Sequence, residues 1–370
     1  MNRFDKKEIQ AVSQVIKNGK YLSGFTSKFA GGEEVRKFEE EFARFIGVKH
    51  AITLNSGTTA LFVAFKTAME YGRRLGKSKF QHPDIHMPAY TFTADPSAAL
   101  QAGGKIVFED VDDKTYCMLT SKNHTTITVP THILGNAPPI IDFGDTDFSI
   151  EDCCQAFGTT VNGKMVGSFG KMSVFSFQET KHITTLGEGG MLCSNDEELI
   201  KIASAIRNHA EFYLEENFLG NNFRMTEAQA AFGRAQLRKA KSILKSFRSN
   251  ANHITSHLPE GITPPYIASN VKHSFLIIGC IYDEKIIGTS RQKFLERLTE
   301  NRRHILEGDE KSDIKGINMK SGKLISAGYA RPLYEIPAYK KFKPRKGCPV
   351  IEKTIKKSLW MDIHRFRTRK

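Results

Sequence analysis

Lys181 stands where an amine could do covalent chemistry. Ahead of it, Val174, Phe175, Ser176 and Phe177 form a short apolar run of β-formers, which predicts a buried strand. Behind it, Thr184 to Gly190 carries three glycines in four residues, a pattern that permits positive φ and close backbone approach to a ligand. An amine held between a rigid strand and a tight loop suits Schiff-base chemistry, in which it must become neutral to attack an aldehyde. Taken alone, the stretch reads more readily as a hairpin with an exposed lysine.

Other strings gain meaning only together. Asn55-Ser56-Gly57-Thr58-Thr59 follows the strand-like Ala51 to Leu54, and such a turn offers N–H groups, hydroxyls and a helix dipole to a phosphate. By itself it is a helix N-cap. Phe92, in Pro88-Ala89-Tyr90-Thr91-Phe92-Thr93-Ala94-Asp95-Pro96, is by itself a core phenylalanine. Asp152 and Gln155 lie in Glu151-Asp152-Cys153-Cys154-Gln155-Ala156-Phe157-Gly158, an acidic pair at a strand end. Asn222 precedes Arg224-Met225-Thr226-Glu227, where Thr226 can cap a helix.

In this order and spacing the strings resemble the DegT-type (DegT/DnrJ/StrS) sugar aminotransferases, which use pyridoxal phosphate (PLP) on the fold type I scaffold of aspartate aminotransferase. The resemblance covers roughly nine tenths of the chain and implies a role for each residue. Lys181 carries PLP and moves the proton as base and acid; His182 is not at that position. Relatives with histidine there are dehydratases using the amine form of the cofactor, so Lys181 favours transamination. Asp152 pairs with the pyridine nitrogen, Phe92 stacks on the ring, and Gln155 contacts its other face or edge. Gly57, Thr58 and Ser176 anchor the phosphate, joined by Asn222 from the partner in a homodimer with shared sites. No metal is implied. L-Glutamate is the expected donor and a keto-sugar, nucleotide-linked, the expected acceptor in amino-sugar biosynthesis.

The same resemblance implies an α/β fold. Its large domain, with the N-terminal arm at 1–249, would hold a mostly parallel seven-stranded sheet between helices; 250–370 would form a small α+β C-terminal domain. There are departures. The stretches between the strands expected at 106–111, 126–129 and the Glu151-Asp152 motif are trimmed close to the limit, since parallel crossovers need about a dozen residues or more. Either helices are lost there or the strand order differs. Met361-Asp362-Ile363-His364 replaces the usual L-P-L-H, and Phe177-Gln178 is shared with cyclitol aminotransferases, so a keto-cyclitol is an alternative acceptor. A silent PLP-fold binding protein is an alternative of another class.

Composition fits an enzyme of this kind. With 40% hydrophobic and 25% charged residues the chain is globular, and it has no apolar run of about 18 residues to span a bilayer. The start, Met1 to Gln10, lacks the apolar core of a secretory signal, which makes the cytoplasm the expected location. Six cysteines without C-x-x-C or zinc spacing read as buried free thiols. A net charge of +14 suits an anionic substrate. Nucleic acid ranks below it, because the basic residues are spread along the chain, denser only at 365–370 and around 340–346, and no recognition motif accompanies them.

Helical spacing of Ile9, Val12 and Ile16 predicts a helix over 5–18, and a second runs from Glu33 to Ile46 before Gly47. Further helices are expected over 196–209, from Thr226 to about Arg248, and over 286–301. A strand is expected over 273–280, and 307–323 reads as a loop.

Overall fold

A computed structural model describes residues 4–19, 21–23, 31–210, 219–297 and 325–362. Its centre is a seven-stranded sheet of β1 (His50–Leu54), β2 (Asp84–Pro88), β3 (Lys105–Glu109), β4 (Thr125–Thr128), β5 (Thr146–Asp152), β8 (Met172–Ser176) and β9 (Gly190–Ser194), ordered β1-β9-β8-β5-β4-β2-β3. β9 runs antiparallel to both neighbours and the other pairs are parallel. β8 and β9 are apolar along nearly their whole length because both faces of the sheet are covered.

β4 sits between β2 and β5. The connections on either side of it hold no α-helix, only a 3-10 turn at Ile133–Gly135. Of the two alternatives for the shortened crossovers, loss of helices is therefore the one observed.

Helices pack on the sheet where caps and apolar faces direct them. α1 (Lys6–Asn18) starts with a capping box of Asp5 and Glu8 and stops at Gly19 in the left-handed region. Its expected apolar row faces outward: Ile9 and Ile16 are exposed, and Glu8 and Val15 are the buried residues. Glu8 is held by Lys239 and by Gln236 Nε2, so a buried ion pair, not the apolar row, fixes the helix's rotation. α2 (Glu33–Ile46) ends at Gly47 as expected. Its start is capped from a distance by Glu227, whose carboxylate accepts from Gly32 N at 2.9 Å, Glu34 N at 2.8 Å and Val35 N at 3.3 Å.

α3 (Gly57–Arg74), α4 (Ala94–Ala102) and α5 (Glu197–Arg207) follow the strands that end at the site or lead away from it. The long helix expected after Thr226 is two helices, α6 (Glu227–Arg238) and α7 (Ala240–Thr255). Lys239, at φ −94° and ψ −1°, tightens the turn between them to an i→i−3 bond with Gln236.

Beyond α7, β10 (Ile262–Thr263), β12 (Ile277–Tyr282), β14 (Ser358–Asp362) and β13 (Ile325–Ser326) form an antiparallel four-stranded sheet in that order. The strand expected over 273–280 is shorter, because Phe275 takes a positive φ of 55° and breaks extension between Lys272 and Ile277. The helix expected at 286–301 is interrupted: α8 (Glu284–Ile287) stops at left-handed Gly288, and helix resumes over 291–297. The expected loop at 307–323, the basic tail and most of the arm before Gly31 lie outside the described residues. Among the described residues no helix is long and apolar enough to cross a membrane.

Candidate active site

The exits of β1, β5 and β8 share one edge of the sheet, and the loop leaving β2 joins them. Crevices at the carboxyl ends of parallel strands are where open α/β sheets bind ligands. Gly190, the first residue of β9, lies opposite Leu54 on one side and Ser176 on the other, which draws the ends of β1 and β8 together.

Lys181 lies in the loop between β8 and β9, as the strand-then-glycine pattern implied. The loop is tied at several points: Phe177 N donates to Gly189 O at 2.8 Å, Glu179 N to Gly187 O at 2.9 Å, and Lys181 N to Gln178 O at 2.8 Å. Thr184 Oγ1 donates to Phe177 O at 2.7 Å, and Gly187, at φ 104°, makes the turn only glycine adopts readily. Neighbouring His182 points elsewhere, with Nε2 3.0 Å from Ser274 O in a buried aromatic setting. The amine end of Lys181 is desolvated, which pulls its pKa below the ordinary 10.5. Cys154, Asp152 and Glu188 oppose that pull. Burial pushes the Cys154 thiol well above its usual range, so it is neutral near about pH 7 and leaves the carboxylates as the charges acting on the lysine.

Asp152 is the last residue of β5, 3% exposed, and its Oδ1 accepts from Cys154 N at 2.9 Å. Gln155, one turn later, is buried; its Oε1 accepts from Leu134 N at 2.9 Å and its Nε2 donates to Tyr329 Oη at 3.2 Å. Neighbouring Glu151 points the other way. Its carboxylate accepts from Gly167, Phe169 and Gly170 N–H groups and meets His132 Nε2 at 2.9 Å. Those bonds pull Glu151 below the ordinary carboxylate range against the opposing effect of burial. His132, Glu151 and Cys153 lie within 4.8 Å of one another, but the carboxylate's hydrogen bonds make the group a brace for the turn after β5.

Ser56 caps α3 by accepting from Thr59 N at 3.1 Å, while Thr59 Oγ1 accepts from Ser56 N at 3.1 Å. The N–H groups of Gly57 and Thr58 belong to the first turn, where no intrahelical acceptor is available. A Cβ on Gly57 would come 2.8 Å from Ser176 Cβ and 3.2 Å from Cys154 Sγ. The helix start therefore rests against the end of β8 and the turn after Asp152. Thr58 is exposed at its rim.

Two residues stand apart. Phe92 is 55% exposed on the loop after β2, with its ring uncovered within one chain. Asn222 is exposed; its backbone bridges to Asn208, while Phe223 O accepts from Asn55 N at 2.9 Å beside the α3 cap. Two neighbours of Asp152 were given no role from the sequence. Asp95 is fully buried, and Tyr329 reaches the site from a stretch distant in sequence. An acidic residue opening an otherwise apolar helix was the available signal for Asp95; Tyr329 had none.

The arrangement fits PLP on three observations: a desolvated lysine amine, a buried carboxylate whose Oδ1 takes the Cys154 N–H, and a helix start packed against a strand end with first-turn N–H groups that lack intrahelical acceptors. Comparisons with known proteins agree. The chain is 30% identical over 319 residues to the spore coat polysaccharide biosynthesis protein SpsC of Bacillus subtilis, covering 79% of this chain and 77% of that protein. It is 33% identical to a GDP-perosamine synthase of Vibrio cholerae, covering 71% and 72%. Among solved structures, an aminotransferase from Psychrobacter cryohalolentis superposes with a TM-score of 0.75 at 26% identity, covering 97% of this chain and 91% of that one. The sequence profile of the DegT/DnrJ/EryC1/StrS aminotransferases matches residues 2–306. The chain belongs to that family.

Proposed function

We propose that this protein is a PLP-dependent aminotransferase that moves an amino group from an amino acid, L-glutamate, to a nucleotide-linked keto-sugar. The observation that carries the reading is Lys181 in the hydrogen-bonded loop after β8, with buried Asp152 at the end of the neighbouring strand β5 and paired with Val174 of β8. PLP, when bound, supplies an aldehyde carbon and a ring that takes up electrons from the substrate.

The chain's own residues would do the rest. A depressed pKa makes neutral Lys181 easier to reach, so Nζ would attack a carbonyl and later take a proton from the substrate carbon and return it. Asp152 would hold the ring nitrogen protonated, since an adjacent negative charge favours its charged form. Phe92 would lie flat on the ring, and Gln155 would meet its other face or edge. Gly57 and Thr58 N–H groups with the Ser176 hydroxyl would bind the phosphate.

Asn222 would complete that phosphate site from a second copy. The outward-facing Ile9 and Ile16 of α1 supply apolar surface of the kind a homodimer buries. Within each copy we divide the large domain, 1–249, from the small one, 250–370, inside α7. The six cysteines form no disulfide, five being buried, which supports a reducing compartment such as the cytoplasm.

Relatives include both reaction types. A UDP-N-acetyl-3-dehydro-α-D-glucosamine 3-aminotransferase of Acidithiobacillus ferrooxidans is 33% identical, covering 63% of this chain and 64% of that protein. A GDP-4-keto-6-deoxy-D-mannose 3-dehydratase of Yersinia pseudotuberculosis is 31% identical, covering 67% and 68%. Lysine at position 181 supports transamination. The test incubates the PLP-loaded protein with L-glutamate and each of these two relatives' keto-sugars. Equal yields of 2-oxoglutarate and an aminated sugar are expected; loss of water without amination would overturn the reading.

A further inference from the structure

Asp95 occupies the first turn of α4 with its side chain wholly buried. Thr91 Oγ1 donates to Asp95 Oδ2 at 2.8 Å, and Thr131 Oγ1 donates to Thr91 Oγ1 at 3.2 Å. The other oxygen, Oδ1, is buried with no hydrogen-bond partner. The neighbouring acidic group is Asp152, at the end of β5, whose backbone pairs with Thr131 at the far end of the same hydroxyl chain. Two carboxylates confined to one dry site cannot both ionise, and the stable arrangement keeps a proton on one of them.

We propose that Asp95 and Asp152 share a single proton, and that neutral Asp95 is a positioning residue whose O–H holds the Asp152 carboxylate toward the cofactor's ring nitrogen. The proposal rests on the PLP reading above. Asp95, not Asp152, keeps the proton. Asp152 accepts the Cys154 N–H and lies beside the Lys181 amine, whereas the strong bond to Asp95 comes from a hydroxyl. Burial, reinforced by the charge of Asp152, pushes Asp95 well above the carboxylate range, against the Thr91 bond. The other titratable groups facing the pair are Cys154 and Tyr329, both pushed up by burial and so neutral, and Lys181. A neutral acid behind Asp152 fixes its orientation without adding a second negative charge at the ring.

The test compares wild-type apoprotein with Asp95→Asn, which keeps a neutral donor, and Asp95→Ala, which has none. Titration with PLP followed by equilibrium dialysis should show D95N within about threefold of wild type and D95A weaker by roughly tenfold or more. Thermal unfolding of the apoproteins reads the proton directly. Asp95 unfolded ionises near its ordinary 3.8 while the folded group stays protonated, so wild-type stability falls as pH rises through the interval between the two values. D95N lacks that loss, and its melting temperature should gain on wild type from about pH 5 to about pH 8.

A difference between D95N and wild type that does not change with pH would overturn the shared proton. Affinity lost as severely in D95N as in D95A would overturn the positioning role. Should D95A fail to fold, D95N decides: a loss of affinity of tenfold or more overturns the role, and near-wild-type affinity supports it. If wild type binds no PLP, the cofactor reading fails alone, and the unfolding comparison still decides the shared proton.

Discussion

Gly190 and Ser56 are in backbone contact: a Cβ on Gly190 would fall inside the Ser56 carbonyl and only 2.9 Å from Gly57 N. The first residue of β9 and the cap of α3 can lie this close only where position 190 has no side chain. Gly190→Ala should push the helix start away from Ser176, costing about 1–3 kcal/mol of stability and weakening PLP binding. Chemical denaturation and PLP titration read the two effects. Unchanged PLP affinity would separate the helix start from the phosphate site.

Lys181 gives a stability test that needs no cofactor. Its folded pKa lies below 10.5, so the folded chain holds this proton less tightly than the unfolded chain. Stability contributed by the group is therefore lowest below the folded pKa and rises with pH up to 10.5. Lys181→Met should make the apoprotein more stable near about pH 7, with the gain shrinking as pH approaches 10.5. A gain independent of pH would show that the amine is not desolvated in the folded chain.

Asp152→Asn keeps shape and removes charge. Without a carboxylate, protonation of the ring nitrogen loses its support, so amino transfer from L-glutamate should slow by about a hundredfold or more. Single-turnover absorbance with PLP already bound measures the step apart from binding. A rate within a few-fold of wild type would remove Asp152 from the chemistry.

Arg207 ties α5 to β1, the strand that leads into the start of α3. Its Nη1 donates to Glu39 Oε1 at 2.7 Å and to Thr53 O at 3.1 Å, and Glu39 also accepts from Thr53 N at 2.7 Å. Arg207 and Glu39 are 4% and 13% exposed. Removing one partner of such a pair leaves the other charge desolvated, so Arg207→Ala should cost about 3–5 kcal/mol in urea unfolding.

Much of the local structure around the candidate site was legible because local sequence sets it. The apolar run before Lys181 had to be a strand, the glycines after it had to be a turn, and Ser56 and Thr226 had to cap helices. Gly47 stopped α2 where expected for the same reason. The misses came from packing between distant segments. Periodicity gave the helix through Ile9 and Ile16, but not its rotation: Lys239 and Gln236 bind Glu8 and turn the apolar row outward. Glu227 was one letter of a motif until its carboxylate met Gly32 and Val35. The break at Lys239 and the positive φ of Phe275 carried no sequence signal. Asp95 joined the site only through the fold, along the Thr91 and Thr131 hydroxyls that lead to the end of β5.

The most direct test of the central claim is the visible absorption spectrum of the purified protein with PLP, before and after L-glutamate, beside Lys181→Ala. The account predicts a band from the covalent lysine–cofactor linkage in wild type that L-glutamate converts to the spectrum of the amine form, and no such linkage band in the variant. A wild-type protein that forms no linkage, or a K181A variant that forms the same one, would contradict it.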